Sequence, residues 1–439
     1  MNARRWGMRA MIAAAVMTVL PSAQGRGRAA SQAAPPGQIV HDVKVTNIEV
    51  PVRVFKGNAF LDMLGKEDFE ILEDGIPQSV DAVYLVRKTS LARKEGGGPA
   101  LPRTSRLFVL LFEMSDYQPD IARAMDYFFD NVIEAQDELI LMTPMSTFSL
   151  KPGMFLKTSR AKVKDELLSR LKTGIMIGGS EYRGLLRELV TAMSGPGFLD
   201  QKLLVYGETM KRLENLRHVD QKKLIEFARF LKNREGQKHV FFFYQKEVVP
   251  KINPREVSLL IEANQERPDI MFDLMEKFEF YNRDVTFDVR AVQEAFSDSS
   301  IAVHFLYLTK ARPLQIDLGV GIRTALKESN EEIPPDANAL AEPVAEQPVA
   351  SGTSFLTFEE QSEDIFSAFS EIARATGGLI ESGAAADKSF QRAAEANENY
   401  YLLYYQPKNA KADKSFRKIE VRVKGGGVRV TYRRGYVAG

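Results

Sequence analysis

The chain has 439 residues, 44% hydrophobic and 27% charged, with 59 Lys and Arg against 58 Asp and Glu and no cysteine. Near neutrality offers no basic surface of the kind a nucleic-acid partner demands. The absent thiol excludes disulfides, cysteine nucleophiles and a cysteine-linked lipid anchor, so the fold must be held by burial alone. Length argues for two or three domains.

The first segment is basic, with Arg4, Arg5 and Arg9 and no acid, and continues into an apolar run from Ala10 to Leu20. Pro21 ends the run and small residues follow. These are the parts of a secretory signal. The run falls short of the roughly 20 apolar residues that a membrane span needs. Residues 1–25 are therefore expected to be a signal peptide that exports the chain to the periplasm or beyond. Ala23-Gln24-Gly25 supplies a small-x-small cleavage site, with cuts after Ala23 or nearer Ala30 as alternatives. Arg4-Arg5 fits a twin-arginine signal poorly in the residues that follow it. No membrane span is expected after signal removal.

Residues 26–40 are a spacer rich in Gln, Ala and Pro. Residues 41–90 then read as a β-module. Val43 to Phe55 is dominated by β-branched residues in near alternation, the pattern of a half-buried strand. Pro51 limits it to an edge position or a bend. Asp68 to Gly75 reads as strand plus tight turn, and Ser79 to Val86 as another strand. Residues 91–104 form a linker around Glu95-Gly96-Gly97-Gly98-Pro99.

From residue 105 to 407 the pattern is strand and amphipathic helix in alternation. Leu107 to Phe112 and Glu138 to Met142 are continuous apolar runs, as expected of strands buried on both faces of a parallel sheet. Ile121, Met125, Phe128, Phe129, Val132 and Ile133 share one helical face behind Pro119, which suits a first helical turn. Further strands fall at His239 to Tyr244, Ile301 to Leu308 and Tyr400 to Tyr405. Between them lie helices around Leu224 to Leu231, Asp288 to Phe296, Glu363 to Thr376 and Lys388 to Glu398. The expected fold class is α/β, a doubly wound, mostly parallel sheet with a small β-sandwich-like flanking module. Residues 174–220 and 246–287 are insertions with helical stretches of their own. Residues 328–353, rich in Glu, Pro and Ala, have the composition of a disordered loop. Residues 408–439 close with a β-hairpin, Phe416 to Val423 and Val428 to Tyr432 around Lys424-Gly425-Gly426-Gly427, placed to complete the β-module.

Three phrases carry a resemblance: Asp68-Phe69-Glu70-Ile71-Leu72-Glu73-Asp74-Gly75-Ile76-Pro77-Gln78, then Ala375-Thr376-Gly377-Gly378 after a helix, then Tyr400 to Pro407 followed by Arg433-Arg434-Gly435-Tyr436. Their order is similar to that of exported bacterial proteins with a von Willebrand factor A-related domain. The resemblance implies an α/β domain with a metal-ion-dependent adhesion site at the C-terminal end of its sheet. There an Asp-x-Ser-x-Ser motif, a later Thr and a further Asp hold a divalent cation, which favours oxygen ligands. Glu113-Met114-Ser115-Asp116-Tyr117 falls at the first motif, keeping Ser115 but replacing the acid by Glu113 and the last hydroxyl by Tyr117. Ser180 falls at the Thr position and Gln245, beside Lys246, at the last Asp. The metal positions Glu113, Ser115 and Ser180 thus read as degenerate and unoccupied. The competing structural assignment is that Ser115 and Asp116 cap the helix that begins near Pro119.

Enzyme signatures are lacking. No Gly-x-Ser-x-Gly elbow or Walker loop occurs, and Gly319-Val320-Gly321 lacks the third glycine of a dinucleotide site. The histidines, His41, His218, His239 and His304, are far apart in sequence, and the last two fall in buried strands. Glu331-Glu332 and Glu359-Glu360 read as solvated acids, and Glu208 to Lys223 as a charged helix face. The expectation is a non-catalytic exported protein-protein interaction protein that needs no cofactor, with residues 174–220 as the partner surface. The alternatives are a metal-dependent adhesion domain that holds a divalent cation such as Mg²⁺ through Glu113, Ser115 and Asp116, and a hydrolase without a recognised signature.

Overall fold

The computed structural model describes residues 47–97, 102, 104–194, 198–217, 219–246, 248–279, 287–309, 356–360, 362–408 and 413–438. The expected signal, the spacer and the 328–353 loop lie outside the described residues, as do His41 and His218.

The N-terminal module contributes β1 (Ile48–Lys56), β2 (Ala59–Phe60), β3 (Phe69–Glu73), β4 (Ile76–Gln78), β5 (Val80–Arg87) and β6 (Ser90–Gly96). There follow β7 (Arg106–Glu113), α1 (Pro119–Tyr127), β8 (Glu138–Met142) and β9 (Thr147–Leu150). A helical stretch comes next, α2 (Arg160–Gly178), α3 (Ser180–Ser194), α4 (Leu199–Arg217) and α5 (Gln221–Lys232). The chain continues through β10 (Gln237–Gln245), β11 (Val248–Ile252), α6 (Pro254–Ala263), α7 (Pro268–Glu279), α8 (Val289–Asp298) and β12 (Ile301–Leu308). Last come β13 (Leu356–Glu360), α9 (Glu363–Ala375), β14 (Ile380–Gly383), α10 (Ala386–Glu395), β15 (Asn399–Tyr405), β16 (Phe416–Val423), β17 (Arg429–Tyr432) and β18 (Gly435–Val437).

The expected fold class does not hold. Parallel pairing is confined to the neighbours β14, β12, β10, β7 and β8. β9 joins their sheet antiparallel and makes it mixed. The ladders of β1, β3, β5, β11, β15 and β16 are all antiparallel. Most strand pairing is therefore antiparallel, and a doubly wound, mostly parallel sheet does not describe the chain.

The strand that defeats the expectation is β15. It follows a helix and is apolar along its length, which reads as one more parallel strand. It leaves the mixed sheet and lies between β1 and β5, antiparallel to both, with Leu403 opposite Val50 and Val83. Its continuous burial comes from two different cores, one on each face. Tyr401, Leu403 and Tyr405 enter the core shared with β1, β3 and β16. Tyr400, Leu402 and Tyr404 pack with Ala82, Tyr84 and Val86. A short apolar run reports burial on both faces and says nothing of strand direction.

The expected C-terminal hairpin is also revised. Gly425, Gly426 and Gly427 all have positive φ, between 66° and 93°, so the chain turns sharply where a Cβ would be strained. The strands it joins then diverge into different sheets. β16 pairs with β3 and β18, whereas β17 pairs with β1. Pro51 likewise sits in a strand with neighbours on both sides. The β17 ladder starts only at Val52, so the proline's missing donor falls outside it.

Helices cover both faces of the mixed sheet. On one face Phe227 and Leu231 of α5, Val292 and Phe296 of α8 and Phe369 of α9 pack on Val109, Phe242 and Phe305. On the other, Ile121 and Met125 of α1, Leu171 of α2 and Phe390 of α10 pack on Leu110, Phe112 and Phe243. The inserted helices α3, α4, α6 and α7, with the β11–β13 ribbon, bury a core of their own around Leu189, Leu203, Met210, Ile252 and Leu274.

His239 and His304 meet inside the mixed sheet, Nδ1 to Nε2 at 3.4 Å, with Asn397 Nδ2 and the Leu379 amide at His304 Nδ1. Burial holds both imidazoles well below the usual value of 6.5. Unfolding in acid therefore binds protons that the folded chain refuses. At the alkaline end burial raises the phenols of Tyr400, Tyr404 and Tyr405 above the usual 10.0, so unfolding there releases protons. Urea melts across pH should show stability falling below about pH 6.5 and, through the phenols, above about 10, by up to about 1.4 kcal/mol per pH unit for each titrating group. Burial lowers Lys238 from 10.5 to about 8, which makes stability rise with pH between those two values. Stability unchanged down to about pH 4.5 would contradict two neutral buried imidazoles.

Candidate functional site

β7 and β10 run parallel and end together, with Glu113 opposite Tyr244. The loop after β7 and the last residue of β10 are thereby side by side at the C-terminal edge of the mixed sheet. In sheets of parallel strands this edge is where ligands are most often held. The α2–α3 junction is the third component. A Cβ on Gly179 would lie 2.0 Å from the Ser115 carbonyl oxygen, so glycine alone permits this approach.

Gln245, only 3% exposed, organises the loop. Its Oε1 accepts from the Ser115 amide at 3.1 Å, the Ser115 hydroxyl at 3.2 Å and the Asp116 amide at 2.9 Å. A neutral amide oxygen thus gathers three donors without introducing a negative charge. The positive charge at this place comes from the protein itself. Arg183, in the first turns of α3, donates Nη1 to the Ser115 carbonyl oxygen and approaches Asp116 Oδ1 at 3.4 Å. Its Nη2 donates to the Met176 carbonyl oxygen. One guanidinium therefore ties the β7 loop to the end of α2, a task its planar fork of donors suits.

The residues expected at a metal site are only partly brought together. Ser115 and Asp116 lie in the cluster. Glu113 ends β7, half-buried. Ser180 is exposed and its hydroxyl donates to the Ile177 carbonyl oxygen at 2.6 Å. Lys246 lays its ammonium over the Tyr307 ring at 5.3 Å, and Tyr117 has the Lys172 ammonium 5.8 Å from its ring centre. Burial, with Asp126 and Asp120 nearby, raises the Tyr117 phenol. Among the described residues no group of three or more His, Asp or Glu could hold a metal ion. A cation bound through Ser115 and Asp116 would have to displace Arg183.

The capping assignment for Ser115 and Asp116 is overturned as well. The N-cap of α1 is Gln118, with no side-chain cap bond, and Asp120 in the first turn accepts from the Ala386 amide at 2.7 Å. The loop amides go to Gln245 instead. Sequence reasoning missed Arg183, because an arginine on a charged helix reads as a solvated side chain. The available signal was its position four residues after Gly179, one helical turn on and on the same face.

No family model, curated protein or solved structure matches the chain.

Arg183→Ala should lower stability by about 1–3 kcal/mol, the usual cost of leaving a buried hydrogen-bonding group such as the Ser115 carbonyl without its partner. Arg183→Lys should recover less than half of the loss, because a point charge cannot reproduce the fork. Urea melts of the three proteins measure both effects, and an Ala variant as stable as the wild type would remove Arg183 from this role.

Proposed function

We propose that the chain is a non-catalytic, exported protein-protein interaction protein whose adhesion-type cation site is degenerate, its charge replaced by an internal guanidinium. The observation that carries this reading is Arg183 donating to the Ser115 carbonyl and facing Asp116, while Gln245 takes both loop amides. A divalent ion attracts carbonyl, hydroxyl and carboxylate oxygens. Here those oxygens already answer to an arginine and an amide, and binding of a partner needs no metal bridge.

Two further features support it. Among the described residues the histidines, His239 and His304, are 2% and 0% exposed and out of reach of a substrate. The inserted helices also carry large apolar side chains at the surface, Phe198 (76% exposed), Leu204 (60%), Phe272 (73%) and Met275 (45%). Single exposed apolar residues are ordinary; here two fall in each of the insertions 174–220 and 246–287, whose helices share one core, and exposed apolar surface there suits a protein partner. Export rests on the basic start and short apolar run of residues 1–25. Among the described residues no helix is long and apolar enough to cross a membrane.

Thermal melts with Mg²⁺, with Mn²⁺ and with EDTA distinguish this reading from a cation-dependent adhesion domain. An ion bound to the folded chain must raise the melting temperature by mass action. The expected result is the same melting temperature in all three. A rise with metal that Glu113→Ala or Ser115→Ala abolishes would restore the cation site.

A further inference from the structure

A second feature of the molecule lies away from the β7 loop, where the β-module meets the mixed sheet. Here the edge strand β17 of one sheet and the edge strand β14 of the other line a single cavity of about 860 Å³. That volume lies within the range of ligand sites, and the cavity is about half open to solvent. Its walls come from β1, β2, α9, β14, α10 and β17, so both units contribute.

The charges on the walls are unequally satisfied. Arg392 is paired with Glu381 at 2.6 Å. Glu395 accepts from Tyr127 and Gln391, and Glu398 faces Lys88 at 3.6 Å. Glu381 and Glu398 are thus paired with cations, whereas Glu395 accepts from neutral donors and keeps its charge, and the lining carries four arginines against three glutamates. Three further arginines, Arg374, Arg429 and Arg434, line the same cavity and are exposed. Among the described residues none of the three has an ion-pair partner, and Arg429 only lies over the Phe55 ring at 4.5 Å. Thr431 Oγ1, on the same wall, is buried and accepts and donates nothing among the described residues.

The neighbouring Arg433 shows that this arrangement is not an accident of a basic tail. Arg433 points inward, 8% exposed, and donates to Ser300 Oγ and the Glu49 carbonyl oxygen, fastening the two units. Arg434, next in sequence, faces the cavity. Alternation along an extended chain sends one arginine to the structure and the other to the open site.

We infer that this cavity is a binding site for an acidic, extended peptide segment of a partner protein, its carboxylates received by Arg374, Arg429 and Arg434. Guanidinium favours carboxylate through paired, charge-assisted hydrogen bonds. Three arginines, on α9, on β17 and two residues past the end of β17, come from separate places in the chain, which suits several carboxylates along a chain rather than one compact anion. Phe60 and Tyr432 on the same walls offer apolar surface to the side chains between them. This inference deepens the interaction role proposed above and names a partner chemistry for it.

The test uses the full chain and a fluorescein-labelled hexaglutamate peptide, read by anisotropy at low salt. Saturable binding is expected, weakened by added salt because exposed charges are screened. The triple variant Arg374→Glu, Arg429→Glu, Arg434→Glu should weaken binding at least tenfold while its thermal melt stays near that of the wild type. Single Arg374→Ala and Arg434→Ala variants should each weaken it measurably, which guards against a fold defect in the triple variant. Equal binding by the triple variant, or no saturable binding by the wild type, would overturn the inference. So would displacement of the peptide by equimolar inorganic phosphate, which would mark a generic anion site. None of these outcomes bears on the melts with metal and chelator, because the cavity shares no residue with the Ser115–Gln245–Arg183 cluster.

Discussion

The architecture depends on the place of β15. This strand leaves the mixed sheet after α10 and takes a central position in the antiparallel sheet, between β1 and β5. A late segment of the chain is thereby built into the first module, and the module cannot complete its core without it. The same route carries the residues after β15 across to β3, β18 and β1, which finish the two sheets. Pairings between segments more than three hundred residues apart form slowly, since loop closure precedes any gain from the contact. Once formed, they make the module and the α/β unit mutually dependent.

Polar groups accommodate that junction. Arg53 on β1 is 2% exposed, with Tyr400 of β15 presenting its ring at 5.8 Å, and burial pushes its guanidinium down to about 10. Arg433 bridges to Ser300 and Glu49, and Gln237 Nε2 donates to Glu49 Oε1 at 2.9 Å. Buried charges of this sort cost desolvation, so their presence is weak evidence of added stability. The cavity lined by Arg374, Arg429 and Arg434 opens along the same junction, so the fold that joins the units also creates the surface between them. At the opposite edge of the mixed sheet the same economy recurs. Gly179 brings α2 and α3 against the Ser115 carbonyl, and Arg183 holds the loop by donating to that carbonyl.

What was legible in the sequence follows from what periodicity can carry. The apolar run Leu107 to Phe112 and the helix face of Ile121 and Met125 report burial directly, and both lie where the pattern puts them. The direction and the sheet of a strand are not encoded in its own pattern. Tyr400 to Tyr405 is buried on both faces by two antiparallel cores and has the same pattern as a parallel strand. The glycine turn after Lys424 marked a reversal correctly, but not that its strands enter different sheets. At the site, Ser115 and Gln245 are reached only through what the resemblance implies for the residues at the ends of β7 and β10. Arg183 is not reached, because its partners are backbone carbonyls of distant segments. His239 and His304 likewise meet only through the parallel pairing of β10 and β12, which sequence spacing hides.

The claim at the centre of this account is that an arginine, not a divalent ion, occupies the oxygen-lined loop after β7. Anomalous diffraction from crystals grown in excess Mn²⁺ addresses it at the atoms concerned. The expected result is Arg183 guanidinium density against the Ser115 carbonyl and no anomalous peak beside Ser115, Asp116 or Glu113. A manganese peak coordinated by those oxygens, with Arg183 swung away, would contradict it.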